Sequence, residues 1–312
     1  MDDFPKKVEI HEEGPREGFQ ISRDRIPTSR KVEFIEALAT TGVKRIDCVA
    51  FVDPRLVPGM IDADEVTQQI RKRPGVSYTG LWLNTRGLER AMSLPVDLIG
   101  SIRITASETF SVRNTNRTIA QTIAEQEAWL RIYKSHQIPI EWGYVMTAFG
   151  CNFEGPVPIS QVMKMIGELL GLAERAEVTL KGIYLADTVG HATPLSIARV
   201  VGAIRSRWPE LKLGVHLHDT RGTGIANAYE ALRLGVDHFD ASCAGLGGCP
   251  FAGHVGAAGN ICTEDFVYMC HEMGIETGID LDALVECANL AEAIVGRQLP
   301  GKISRSGIAR PR

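Results

Sequence analysis

Residues 180–220 read LKGIYLADTVGHATPLSIARVVGAIRSRWPELKLGVHLHDT. The stretch opens on a β-branched and aromatic run, Leu180–Leu185, and passes through the polar Ala186-Asp187-Thr188. It continues as an amphipathic segment, Thr193–Arg207, and closes on a second apolar run, Lys212–Leu217. Strand, helix and strand at this spacing describe a parallel crossover unit. Outward from it the same rhythm recurs. Further strands are expected at Val8–His11, Val43–Val52, Val76–Leu83, Leu98–Thr105, Ile138–Met146 and His238–Ser242. Amphipathic stretches lie between them, among them Arg30–Thr41, Ile119–Ser135, Ile159–Arg175 and Ile225–Leu234. Eight alternating units predict a (β/α)8 barrel of the TIM type. A doubly wound open sheet is the competing α/β arrangement, but the rhythm runs on without a domain break. A single catalytic barrel domain over residues 1–312 is therefore expected. Helices in Thr263–Val295 would pack on the barrel or on a second subunit.

Composition narrows the function. The chain has 312 residues, 34 basic and 38 acidic, for a net charge of -4. The charges are well mixed, which argues against a nucleic-acid partner, since such a partner needs a basic face. No apolar run approaches a membrane span, and Met1-Asp2-Asp3-Phe4 lacks a signal-peptide core. Seven scattered cysteines suit a reducing compartment, and the cytoplasm is the expected location.

In a barrel the chemistry sits at the carboxyl ends of the strands, so the polar residues there are expected to form one constellation. His216 and His218 are two apart on a strand and therefore point to one side, where two imidazoles can share a metal ion; the plainer alternative is two unrelated polar residues on a half-exposed strand. Glu17, after the first strand, supplies a charged oxygen, although the neighbouring Glu12 and Glu13 leave open which carboxylate reaches the ion; a surface ion pair with Arg16 or Arg23 would explain Glu17 equally well. Asn260 adds a neutral oxygen, or is merely a turn residue after Gly259. Such a donor set suits Mg2+ or Mn2+, with Zn2+ or Co2+ competing by raw affinity. Arg16 can hold a developing enolate or pair structurally with Asp47, and both roles are compatible. Cys249 lies in Gly245–Gly259, which contains six glycines, so the segment can close as a lid. A thiol there is harder to explain as core than Cys48, Cys151, Cys243, Cys262, Cys270 and Cys287, which are read as buried small hydrophobes.

The segments Glu13-Gly14-Pro15-Arg16-Glu17-Gly18-Phe19-Gln20, Phe51–Pro58 and His216-Leu217-His218-Asp219-Thr220 resemble the 3-hydroxy-3-methylglutaryl-CoA lyases. So do Ala244-Gly245-Leu246-Gly247-Gly248-Cys249-Pro250-Phe251, Gly259-Asn260 and Thr263–Met269. The wider group includes the isopropylmalate, citramalate and homocitrate synthases, and the resemblance runs from about Val8 to Gly301. It implies cleavage of a 3-hydroxy-3-methylglutaryl-CoA-like thioester into acetyl-CoA and acetoacetate. It also implies a divalent cation on Glu17, His216, His218 and Asn260. Arg16, Cys249, Asp187 and Glu264 would be catalytic, Gln20 and Asp47 would support the substrate, and the enzyme would be a homodimer. One departure stands out: the lyases resembled here carry Asp after the arginine, and this chain has Glu17, one methylene longer. A related thioester such as citramalyl-CoA is therefore an alternative substrate.

The chemistry can also be derived from the residues. Cleaving a β-hydroxy thioester requires loss of the hydroxyl proton while an enolate forms at the α-carbon. A metal acidifies the hydroxyl and a cationic donor stabilises the enolate. His216, Glu17 or a water are candidate bases, and Cys249 can return a proton to carbon. A Claisen-type synthase would run the same bond in reverse, though such synthases carry extra C-terminal length. An inactive metal-binding scaffold predicts a substituted constellation, which this chain does not have.

Overall fold

The computed structural model describes residues 4–22, 25–248 and 258–309. The chain divides into two compact units. One is built on Lys6–Leu98 together with the C-terminal part from Phe239, and the other on Ile99–His238.

The first unit contains β1 (Glu9–Glu12), α1 (Gly14–Gln20), α2 (Thr28–Leu38), β2 (Arg45–Phe51), α3 (Ala63–Gln69), β3 (Ser77–Trp82) and α4 (Thr85–Met92). The second contains β4 (Gly100–Thr105), α5 (Glu108–Thr115), α6 (Ile119–Ser135), β5 (Ile140–Met146), α7 (Ile159–Arg175), β6 (Gly182–Asp187), α8 (Pro194–Arg207), β7 (Leu213–Leu217) and α9 (Gly224–Arg233). The chain then forms β8 (His238–Ala241), α10 (Thr263–Glu272), α11 (Leu281–Val295) and α12 (Ile303–Ser306). All eight expected strands are present; six are shorter than their apolar runs, while β1 and β6 keep the expected length but begin one and two residues later.

Strand order in the first unit is β3-β2-β1-β8, and β1–β2 and β2–β3 pair in parallel. The register between β2 and β3 shifts between Asp47 and Val49. A bulge of this kind re-aims the side chains beside it, and Asp47 is one of the residues affected. In the second unit the order is β7-β6-β5-β4, again parallel. Every residue of β6 and β7 is buried, as expected where helices cover a parallel sheet.

The helices follow from local chemistry. Thr118 and Gln121 form a capping box at the start of α6, as Thr193 and Ser196 do at α8. Helix α7 buries Val162, Met165, Ile166, Leu169, Leu172 and Ala173. Their three- and four-residue spacing makes one apolar stripe that packs on β4 and β5. Helix α11 packs on α2 and on a 3-10 turn at Cys243–Gly245. Among the described residues no helix is long and apolar enough to cross a membrane.

Candidate active site

Residues Glu12–Gln20 look like an irregular strand-end loop in the sequence, with Pro15 and two glycines. From Gly14 to Gln20 they fold as helix α1, because Pro15 falls in the first turn, where a missing N–H costs nothing. Glu13 caps this helix, and its own N–H is held by Ala241 O of β8 at 2.8 Å. The first turn therefore projects Glu13, Arg16 and Glu17 from a fixed backbone.

Three acids close to Arg16 in the folded chain were candidates for the metal-facing carboxylate, and each has a distinct place. Glu12 is fully buried. Its Oε1 accepts the N–H groups of Gly14 and Cys243, each at 2.8 Å, and its Oε2 accepts the Thr263 hydroxyl at 2.7 Å. A Cβ on residue 14 would lie 2.5 Å from Glu12 Oε1, so only glycine lets the carboxylate approach this backbone. Burial pushes the Glu12 carboxyl up to about 7. Glu13 accepts from Arg16 Nη2. Glu17 Oε1 accepts from Arg16 Nη1 at 2.8 Å, and Glu17 Oε2 accepts from Asn260 Nδ2 at 2.8 Å. Arg16 Nε donates to Asp47 Oδ2 at 2.8 Å, so the expected Arg16–Asp47 pair is present. Burial works against the Arg16 charge, but the three carboxylates outweigh it and hold the guanidinium protonated.

Asn260 is buried, and its Oδ1 has no hydrogen-bond partner among the described residues. Gln20, at the end of α1, likewise has a buried and unpartnered Oε1. Gly247 lies against Glu17: a Cβ at this position, where φ is +118°, would sit 3.3 Å from Glu17 Cβ and 3.4 Å from Oε2. Glu264 Oε2 accepts the N–H of Ala244 at 2.9 Å, and burial raises this acid to about 7 as well. Ala244 has a φ of +59°, which is costly for a residue with a Cβ. Glu12 and Glu264 thus grip neighbouring N–H groups of the 243–245 turn, from which the glycine-rich segment departs. Cys249 lies outside the described residues.

In the second unit, His216 is the next-to-last residue of β7 and His218 follows the strand. Both are buried, and their Nε2 atoms approach to 3.1 Å. The two-residue spacing does put both rings on one side. Asp187 ends β6 fully buried. Its Oδ1 accepts the His191 N–H at 2.7 Å, while Oδ2 has no partner among the described residues. Burial lifts its pKa to about 6, although the His191 and Ala192 N–H groups oppose the shift.

A supporting triad here escaped the sequence reading. Arg221 Nη1 donates to the carbonyls of Val189 and Gly190 at 2.8 and 2.7 Å. Asn152 Oδ1 accepts from Arg221 Nη2 at 3.4 Å and lies 2.8 Å from His191 Nε2. These three side chains tie together the loops after β5, β6 and β7, and so fix the backbone that holds Asp187. The available signal was the position of Arg221 directly after His218-Asp219-Thr220. The six cysteines read as core are free and buried. Burial raises Cys270 and Cys287 to about 12 and Cys243 and Cys262 well above the ordinary thiol range, leaving these thiols unreactive.

A family model described as HMGL-like matches residues 7–291. The chain belongs to the HMGL-like family. Hydroxymethylglutaryl-CoA lyase, mitochondrial, of Gallus gallus is 37% identical over 303 residues, 97% of this chain and 98% of that protein. The 3-hydroxy-3-isohexenylglutaryl-CoA/hydroxy-methylglutaryl-CoA lyase of Pseudomonas aeruginosa is 35% identical, covering 98% of this chain and 99% of its own. Among solved structures, an HMG-CoA lyase from Acinetobacter baumannii in complex with coenzyme A and 3-methylmalate matches with a TM-score of 0.88 and 36% identity over 100% of both chains. Another, from Bacillus subtilis, matches with a TM-score of 0.89 and 35% identity, covering 97% of this chain and 98% of that one. The fold class of this HMGL-like protein is the (β/α)8 barrel, and the open doubly wound sheet is excluded.

Proposed function

We propose that the protein is a divalent-metal-dependent carbon–carbon lyase. It cleaves 3-hydroxy-3-methylglutaryl-CoA, or a close analogue, into acetyl-CoA and a keto acid, acetoacetate for the parent substrate. The observation that carries this reading is the near-full-length similarity to lyases of that name in a chain that keeps Arg16, His216, His218, Cys249 and Asn260.

The donors fit a hard divalent cation. Two Nε2 atoms converge at the end of β7. Asn260 presents a buried oxygen without a partner beside Glu17. A half-turn of the Asn260 amide would place Oδ1 next to Glu17 Oε2 as a second oxygen donor. Glu17, His216, His218 and Asn260 would hold the ion, which we take to be Mg2+ or Mn2+. When bound, it acidifies the tertiary hydroxyl of the substrate.

The chain's own residues do the rest. Asp187 Oδ2, buried, without a partner among the described residues and with a pKa raised to about 6, accepts the hydroxyl proton. The C2–C3 bond then breaks, its electron pair passing to C2 as an enolate while C3 becomes the ketone carbon. Arg16 steadies the enolate with the N–H groups its carboxylates leave free. Cys249 returns a proton to C2, completing the methyl group of acetyl-CoA. Gln20 lines the substrate, and Asp47 orients Arg16. Glu264 supports the reaction from behind, through the Ala244 turn.

Buried free thiols suit a reducing location, and we place the enzyme in the cytoplasm. A homodimer belongs to the same reading and is checked by sedimentation.

The test is a panel of thioesters incubated with purified protein and Mg2+, with acetyl-CoA and keto acid followed by mass spectrometry. Release of acetoacetate from the methylglutaryl substrate is expected. Release of pyruvate from citramalyl-CoA alone would reassign the substrate. A bulkier 3-alkyl group is the second candidate, favoured by the longer Glu17 ligand and by the dual name of the P. aeruginosa relative.

A further inference from the structure

Arg16 is held at all three of its side-chain nitrogens. Three carboxylates reach it: Asp47 at Nε, Glu17 at Nη1 and Glu13 at Nη2. All four side chains are no more than 13% exposed.

We propose that Glu13 is a positioning residue for the reaction, holding the far edge of Arg16 so that Glu17 keeps an oxygen for the cation. The inference rests on the function proposed above. Two features of Glu13 carry it. First, its backbone cannot drift: its N–H is bound by Ala241 O and its carbonyl accepts the Glu17 N–H at 2.9 Å. The carboxylate that reaches Arg16 three residues later in the same helical turn is therefore fixed relative to Glu17. Second, Glu13 and Glu17 compete for one guanidinium. With Glu13 occupying Nη2, Arg16 meets Glu17 through Oε1 alone, and Oε2 is left to face Asn260. Without Glu13, the guanidinium can swing to take both oxygens of Glu17 in a bidentate pair, and a metal ligand is lost.

Removing Glu13 should therefore weaken metal binding before any substrate is added. The experiment titrates Mn2+ into wild type and Glu13→Gln, by calorimetry or electron paramagnetic resonance. It then measures kcat and KM for the methylglutaryl thioester. Glu13→Gln keeps the size and one acceptor oxygen but replaces the other oxygen with an NH2 group that cannot accept from Arg16. We expect about a tenfold loss of Mn2+ affinity and a similar fall in kcat, the range typical of groups that orient metal ligands. KM should change by no more than about threefold, because Glu13 touches no substrate. Glu13→Ala should lose more of both. Wild-type Mn2+ affinity and kcat in both variants would overturn the proposal. Should Glu13→Gln fail to fold, Glu13→Asp replaces it, withdrawing the carboxylate by one methylene at constant charge. A folded Glu13→Asp with reduced kcat and weaker Mn2+ binding supports the inference, and one with wild-type values refutes it. If wild type binds Mn2+ but cleaves no thioester, the proposed function fails, and the Mn2+ titration still decides the place of Glu13.

Discussion

Asn260 Nδ2 donates a 2.8 Å hydrogen bond to Glu17 Oε2 across 243 residues of sequence. The contact leaves the other amide atom, Oδ1, buried and without a partner among the described residues. A buried oxygen left in this way beside a carboxylate supports the proposed cation site. Replacing Glu17 with Ala should therefore lower Mn2+ affinity at least tenfold and abolish turnover. Replacing it with Asp should keep the metal and change the relative rates among 3-hydroxyacyl-CoA substrates, since the ligand is shorter. Normal metal binding and turnover in Glu17→Ala would reduce this carboxylate to a partner of Arg16.

The imidazole pair makes a separate prediction. A protein with both His216→Ala and His218→Ala should retain its fold by circular dichroism but bind no stoichiometric Mn2+. Full occupancy in the double variant would move the metal elsewhere.

Glu264 links the site to stability. Its carboxyl is raised by burial from 4.5 to about 7, so the folded state holds the proton more tightly than the unfolded one. The stabilisation is complete below about pH 4.5 and is lost as pH rises through 7. Its size is on the order of 3 kcal/mol. Glu264→Gln offers an amide oxygen to the Ala244 N–H and has no proton to lose. Melting temperatures between pH 5 and pH 8 should fall less steeply in the variant than in wild type. Parallel slopes would remove Glu264 as the source.

Gly247 should tolerate no side chain. Gly247→Ala places a Cβ against Glu17 at a φ that L residues rarely adopt. A loss of about 1–3 kcal/mol is expected, with weaker Mn2+ binding as Glu17 gives way. Wild-type stability and affinity would show that the backbone can relax.

Cys249→Ser tests the thiol proposed to protonate C2. Turnover should drop strongly while the melting temperature stays within about a degree, small against the 2–4 °C that 1 kcal/mol produces in a domain of this size. An early-melting variant with full activity would make Cys249 a packing residue.

The sequence carried the fold because its signals are local. Helices α6 and α7 span Ile119–Ser135 and Ile159–Arg175, the bounds set by their apolar periodicity. The His216–His218 pair was equally legible, since two residues on one strand must face the same way. What could not be read were relations set by distant partners. Glu12, Glu13 and Glu17 are chemically alike in the sequence. Only the N–H of Cys243, the guanidinium of Arg16 and the amide of Asn260 distinguish them. The Arg221–Asn152–His191 triad spans three loops and leaves no periodic trace. Helix α1 was hidden by its proline and glycines, which favour a turn unless the first-turn position of Pro15 is recognised.

The partners of Glu12 also bear on how the chain is made. Its carboxylate takes bonds from residues 231 and 251 positions further on. At a synthesis rate of about 5–20 residues per second, the first strand waits roughly 12 to 50 seconds for the donors that justify its burial. During that interval the Gly14 N–H is the one donor of the three that is already synthesised. Completion of the fold is therefore a late event that depends on α10 emerging, so a chain interrupted before Thr263 is left without the bond that closes its beginning.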